Sequence, residues 1–159
     1  HSNGYSLIRR ILERSRPDLA ADFHGRPLGE ALLEPTRIYV KPLLSAIRDT
    51  GAVKGLAHIT GGGLPGNVPR IVPDGLAARL EPGRWAMPSV MGLLGALGGI
   101  GEPELRATFN GGLGMVLAIA PEAAEAALAA AAGEGIEAVV VGEVVPVAAT
   151  GGRRYEEAG

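Results

Sequence analysis

The residues best suited to chemistry lie in one short segment that runs through three consecutive glycines. We call residues 60–63 the triplet loop; a strand is predicted before it and a helical turn at 64–71 after it. Free backbone amides at a helix start, together with the helix dipole, bind anions such as phosphate. Polar side chains accompany the glycines, so the predicted phosphate-binding set is Thr60, Gly61, Gly62, Gly63, Asn67 and Arg70. The alternative is a tight glycine turn without a ligand, which the spacing alone does not exclude.

Two further segments combine polar residues with glycine. Ser2, Asn3 and Gly4 form an N-terminal turn before an amphipathic helix. Either they contribute to binding, or Ser2 or Asn3 is a plain N-cap. The 108–112 loop, with candidates Thr108, Asn110 and Gly112, precedes an apolar strand. An Asn-Gly pair alone is typical of a hairpin turn, but three such loops in one small domain could converge on one ligand at the strand ends.

The candidate titrating groups are few. His58 is the best candidate for proton transfer, because imidazole titrates near neutral pH, although a lone histidine on a strand is often structural. His24 lies in a polar loop and is expected to be solvated. No paired-histidine or D-x-D spacing predicts a metal centre, and no Walker, dinucleotide-binding or G-x-S-x-G motif is present.

Composition excludes several classes of protein. The chain has 159 residues, enough for one domain with a substantial core. Its 15 basic and 17 acidic residues give a net charge of -2, without the excess of cations typical of nucleic-acid binding. Cysteine is absent, which excludes disulfides and thiolate sites and fits a reducing compartment such as the cytoplasm. No apolar run approaches the roughly 20 residues of a membrane span, so no membrane association is expected.

Helical and strand patterns interleave along the chain. Helices are predicted around 7–15, 29–33, 41–50, 64–71, 88–97, 102–105 and 121–132, and strands at 53–60, 76–80, 113–119 and once or twice within 136–147. This order predicts an α/β (α+β) sandwich in which a mixed sheet is covered by helices. We expect one domain at residues 1–150 and a flexible polar tail at 151–159.

Four segments together resemble one enzyme family. Residues 1–7, 33–42, 58–70 and 108–115 are similar, in order and approximate spacing, to the C-terminal half of phosphoribosylformylglycinamidine cyclo-ligase, also called AIR synthetase. The resemblance runs from residue 1 to about 147. It implies the AIR synthetase C-terminal α/β fold, and nothing in the chain resembles the family's N-terminal ATP-binding domain.

The resemblance implies a specific activity. Formylglycinamidine ribonucleotide (FGAM) would be cyclised to aminoimidazole ribonucleotide (AIR) in purine biosynthesis, with His58 and His1 polarising the formyl group or moving a proton in roles that stay open between them. ATP and Mg²⁺ are expected to need the N-terminal domain, which also supplies the homodimer interface of the full-length enzyme. The alternative is a non-catalytic module that binds a phosphate ligand or serves assembly.

Two positions in these segments leave questions open. Gly111 stands where the family often has a bulkier residue, so we expect a looser 108–112 loop. Arg37 and Lys41 match a family segment, but a solvated helix start explains them equally well.

Overall fold

The computed structural model of the protein describes residues 3–158. The α-helices are α1 (Tyr5–Ser15), α2 (Leu28–Leu32), α3 (Val40–Thr50), α4 (Gly63–Asn67), α5 (Ser89–Gly98), α6 (Glu102–Thr108) and α7 (Ala124–Gly133). The strands are β1 (Asp22–Phe23), β2 (Arg26–Pro27), β3 (Val53–His58), β4 (Leu76–Leu80), β5 (Met115–Ile119), β6 (Gly142–Pro146) and β7 (Tyr155–Glu157). Short 3₁₀ turns occupy Val68–Ile71, Pro82–Arg84, Pro121–Ala123 and Val147–Thr150.

The strands form three small sheets. β1 and β2 are a short antiparallel hairpin, and β3 pairs antiparallel with β5. The third sheet has the order β6-β4-β7, with β6 antiparallel and β7 parallel to β4. Helices pack between and around these sheets, which confirms the predicted mixed α/β class. No helix within residues 3–158 is long and apolar enough to cross a membrane.

Two apolar cores hold the elements in place. The first core joins β3, α4 and β4, and its least exposed side chains are Ile59 and Leu64, both at 0% exposure. The second core joins α1, α5 and α6 through Ile8, Leu105 and Phe109. Ile59 and Leu64 flank the triplet loop, whereas Phe109 belongs to the 108–112 loop, so each loop is anchored in a different core.

Helix α1 does not begin with the predicted side-chain cap. Gly4 is the N-cap, in a left-handed conformation with φ of 75°, and no side chain caps the helix. Its carbonyl accepts hydrogen bonds from the amides of Leu7 and Ile8. The interpretation of Asn3 as an N-cap is therefore wrong, and Ser2 lies outside the described residues.

The expectation of a flexible tail is also wrong for most of residues 151–158. Tyr155 packs against the first core, and β7 adds a parallel strand to the edge of β4. The amide of Ala158 donates to the carbonyl of Leu80 at 2.8 Å. The tail is ordered because it completes an otherwise unpaired strand edge. Within 136–147, one strand forms, at Gly142–Pro146.

Candidate active site

The three polar glycine loops meet in the folded chain. A Cβ on Gly4 would lie 2.7 Å from Cδ1 of Phe109, and one on Gly61 would lie 3.7 Å from Oδ1 of Asn3. A Cβ on Gly63 would overlap the carbonyl oxygen of Arg106 and lie 2.8 Å from that of Phe109. The described residues of these three segments therefore lie against one another, and glycine is what permits the approach. Their convergence on one ligand stays a prediction.

The triplet loop is shaped by its own backbone and by Asn67. Gly62 and Gly63 both have positive φ, at 91° and 58°, where a side chain is strained. The amide nitrogen Nδ2 of the buried Asn67 lies 2.7 Å from the carbonyl oxygen of Gly63, 3.3 Å from that of Gly61 and 3.4 Å from that of Thr60. The buried Asn67 side chain therefore stabilises the loop by hydrogen bonds to its carbonyl oxygens, a role that was not predicted from the sequence. Direct contact of Asn67 with a ligand stays a prediction.

The hydrogen bonds of Asn67 leave the outer side of the triplet loop open. Gly61 and Gly62 are exposed, and neither of their amides donates a hydrogen bond to a described residue. The amide of Gly63 is already used, since it donates to the carbonyl of Thr60 at 3.0 Å. Among the described residues, these two backbone donors thus have no acceptor, and Gly61 lies beside Asn3.

The 108–112 loop is firmly held. Oδ1 of Asn110 accepts a hydrogen bond from the amide of Gly112 at 3.1 Å, and the carbonyl of Asn110 accepts one from Leu113 at 3.0 Å. Gly111 has φ of 61°, and its carbonyl accepts a bond from Nε1 of Trp85 at 3.0 Å. The expectation that Gly111 loosens this loop is wrong, because the left-handed backbone there suits glycine and the neighbouring groups are hydrogen-bonded.

A cavity of about 710 Å³ opens beside Asn3 and the 108–112 loop, and no residue of the triplet loop lines it. Its lining includes Asn3, Asn110 and Gly112, together with Arg37 and Tyr39. The start of α5 and the β1-β2 hairpin complete the lining. Partial burial raises the pKa of the Tyr39 phenol, and the nearby charge of Arg37 opposes this shift. The tyrosine therefore stays neutral and is a candidate hydrogen-bond donor.

The other predicted site residues lie at varied distances from this cavity. His58 is exposed at the end of β3, paired with Met115 of β5. Thr60 and Thr108 are half-buried beside the glycine contacts. Arg70 is exposed on the 3₁₀ turn after α4, and like the triplet loop it does not line the cavity. His1 and Ser2 lie outside the described residues.

Within residues 3–158, no three histidine, aspartate or glutamate side chains are grouped so that they could hold a metal ion. The site is instead built from backbone amides, side-chain amides, a phenol and a guanidinium. Such groups bind and orient a polar substrate by hydrogen bonds and charge.

Comparison with known proteins identifies the family. Residues 1–153 match the family model described as AIR synthase related protein, C-terminal domain. The chain belongs to this family. A protein named phosphoribosylformylglycinamidine cyclo-ligase from Burkholderia cenocepacia is 52% identical over 136 residues, which are 84% of this chain and 38% of the relative. A protein of the same name from Aromatoleum aromaticum is 52% identical over 146 residues, covering 91% of this chain and 40% of the relative.

The chain spans about two fifths of the length of these curated relatives. The matched range of the AIR synthase-related domain includes all three glycine loops and the cavity residues named above. Strand β7, at Tyr155–Glu157, lies beyond it. From the sequence, Arg37 stayed open between a family segment and a solvated helix start, and Tyr39 was not predicted as a site residue; both lie in the polar run between Pro35 and Pro42.

Proposed function

We propose that this chain is the C-terminal part of an ATP-dependent cyclo-ligase that converts FGAM to AIR in purine biosynthesis. The observation that carries the proposal is its 52% identity to proteins named phosphoribosylformylglycinamidine cyclo-ligase. The converging loops support it, because a phosphorylated ribonucleotide needs several hydrogen-bond donors arranged around one space.

The proposed chemistry is a ring closure. The formamide oxygen of FGAM is activated by phosphoryl transfer from ATP. An amidine nitrogen then attacks the formamide carbon, the phosphorylated oxygen leaves as phosphate, and AIR and ADP are released. This chain would bind and orient the ribonucleotide. We assign hydrogen bonding to the exposed amides of Gly61 and Gly62 and to the side chains of Asn3 and Asn110 at the cavity.

Proton transfer is assigned to histidine. His58 is exposed at the end of β3, two residues before the triplet loop, so solvent can exchange protons with it. His1 is the second candidate, and the division of roles between the two stays open.

The described residues offer no group of three or more carboxylate or histidine side chains that could form a dedicated Mg²⁺ site. We therefore derive no step through Mg²⁺ or ATP on this chain, and we propose that both bind mainly to the N-terminal part of the full-length enzyme. We further propose that the full-length enzyme is a cytoplasmic homodimer. It would bind the ribonucleotide substrate and would bind neither nucleic acid nor membranes.

A hybrid enzyme tests the proposal. The part of the Burkholderia cenocepacia relative that this chain does not match is joined to this chain, and AIR is measured by diazotisation of its amine. We expect AIR formation that requires both ATP and FGAM, with ADP formed in equal amount. The same part of the relative without this chain is the control and should be inactive.

Calorimetric titration of the 159-residue chain with FGAM separates the alternatives. An inactive but folded hybrid, together with FGAM binding by the chain, would favour a non-catalytic binding module. An inactive hybrid without any binding would contradict both proposals.

A further inference from the structure

Arg106, on α6, is a buried charge that the proposed chemistry does not use. Only 6% of its surface is exposed, and within residues 3–158 it is the one charged residue that is fully inside the fold. Oε1 of Glu102, one helical turn earlier, accepts hydrogen bonds from its Nε at 3.0 Å and its Nη2 at 2.6 Å. Oε2 of Glu157 on β7 lies 3.9 Å from its Nε. Two carboxylates therefore fix the guanidinium from one side.

The other side of Arg106 supports Trp85. The Cζ atom of Arg106 lies 5.0 Å from the centroid of the indole ring, a cation-π distance. Nε1 of this indole donates the hydrogen bond to the carbonyl of Gly111. A continuous set of contacts thus runs from β7 through Arg106 and Trp85 to the 108–112 loop, which lines the cavity.

The main chain of Arg106 also touches the triplet loop, since its carbonyl oxygen leaves no room for a side chain on Gly63. One residue therefore contacts two of the three converging loops, one through its side chain and one through its backbone.

The arginine is held at a cost. Its Nη1 is buried without a hydrogen-bond partner among the described residues, which is unfavourable. An apolar residue would avoid that loss, but neither an apolar residue nor lysine offers a planar cation that can stack on an indole while two of its nitrogens bind a carboxylate. We infer that Arg106 is a positioning residue that holds Trp85 against Gly111 and so fixes the 108–112 loop at the cavity, with Glu102 and Glu157 of β7 as its counter-ions.

Hydrogen exchange tests this inference without any ligand. The reporter is the amide of Gly112, which donates to Oδ1 of Asn110, and the reference is the amide of Gly51 at the end of α3. We expect Arg106→Met to speed exchange at Gly112 relative to Gly51 by about fivefold to tenfold, the change expected for the loss of one hydrogen bond. Trp85→Phe keeps an aromatic ring at this position but removes the N–H donor together with part of the ring, so it should also speed exchange at Gly112 relative to Gly51.

Arg79→Met is the matched control. Arg79 also pairs with β7, through Glu156 at 3.3 Å, but it does not touch Trp85. It should leave the ratio of Gly112 to Gly51 exchange unchanged. If Arg106→Met does not fold, Trp85→Phe decides the question. An unchanged ratio in the folded variants would overturn the inference and leave Arg106 a purely structural residue.

The consequence for substrate rests on the proposed function and is measured separately. Trp85 is the single tryptophan of the chain, so tryptophan fluorescence reports on the surroundings of this one indole, which include Gly111 of the 108–112 loop. We expect FGAM to change the emission of the unmodified chain, and Arg106→Met to weaken the binding of FGAM about fivefold or more. Faster Gly112 exchange without FGAM binding by any variant would contradict the substrate proposal and leave the positioning role intact.

Discussion

The contact between Gly63 and α6 predicts that alanine substitutions at neighbouring glycines change the free energy of unfolding by different amounts. Gly63→Ala forces a left-handed backbone on alanine, which costs roughly 1–2 kcal/mol. Its Cβ would also overlap the carbonyl of Arg106, and relieving such overpacking costs about 1–3 kcal/mol. We therefore expect a loss of about 2–5 kcal/mol in the free energy of unfolding, measured by urea denaturation with far-ultraviolet circular dichroism.

Two neighbouring glycines separate the contributions. Gly62 has positive φ, but its nearest neighbour would be Cα of Gly66 at 3.6 Å, so Gly62→Ala should lose only about 1–2 kcal/mol. Gly66 is helical with nothing within 4 Å of an added Cβ, so Gly66→Ala should gain about 0.5–1 kcal/mol. If Gly63→Ala loses no more than Gly62→Ala, the close approach to α6 is refuted.

Four further predictions concern single side chains. Asn67→Ala removes the side-chain hydrogen bonds to the triplet loop and should lower the free energy of unfolding by about 1–3 kcal/mol in urea. Burial and the hydrogen bond to Glu157 raise the pKa of Tyr155, so its contribution to stability is present below about pH 10 and lost as the pH rises further. Thermal midpoints of Tyr155→Phe should therefore fall less at alkaline pH than those of the unmodified chain. In the hybrid enzyme, Arg37→Ala should raise KM for FGAM if the phosphate of FGAM enters the cavity. If Arg70→Ala raises KM and Arg37→Ala does not, the phosphate binds outside the cavity. His58→Asn should lower kcat and alter its pH profile, and unchanged values would exclude an acid-base role.

Local patterns predicted most of the fold because the elements bury regularly spaced apolar residues. Helix α1 buries Ile8 and Ile11, three residues apart, and β3 alternates between exposed and less exposed positions. Strand β7 escaped prediction because its sequence is polar and its partner β4 lies far away along the chain. No sequence feature near Tyr155 indicates that this segment pairs with the edge of β4.

The glycine patterns located the three loops but not the direction of every side chain. Asn67 and Arg70 were predicted to belong to one phosphate-binding set, yet α4 ends at Asn67 and a 3₁₀ turn follows. Asn67 therefore points into the core and Arg70 into solvent. The role of Arg37 stayed open and Tyr39 was not predicted, because tertiary packing, which no periodicity encodes, brings both residues to the cavity.

The arrangement of the loops explains why glycine is needed where they meet. The triplet loop rests on the core of β3, α4 and β4, whereas Phe109 and the N-terminal turn rest on the core of α1, α5 and α6. The two cores approach each other where Gly63 touches the carbonyls of Arg106 and Phe109. A side chain at this contact would separate the two cores and so move the loops apart. The distance between Gly61 on one side and Asn3 and Asn110 on the other is thus set by a residue that need not touch the substrate at all.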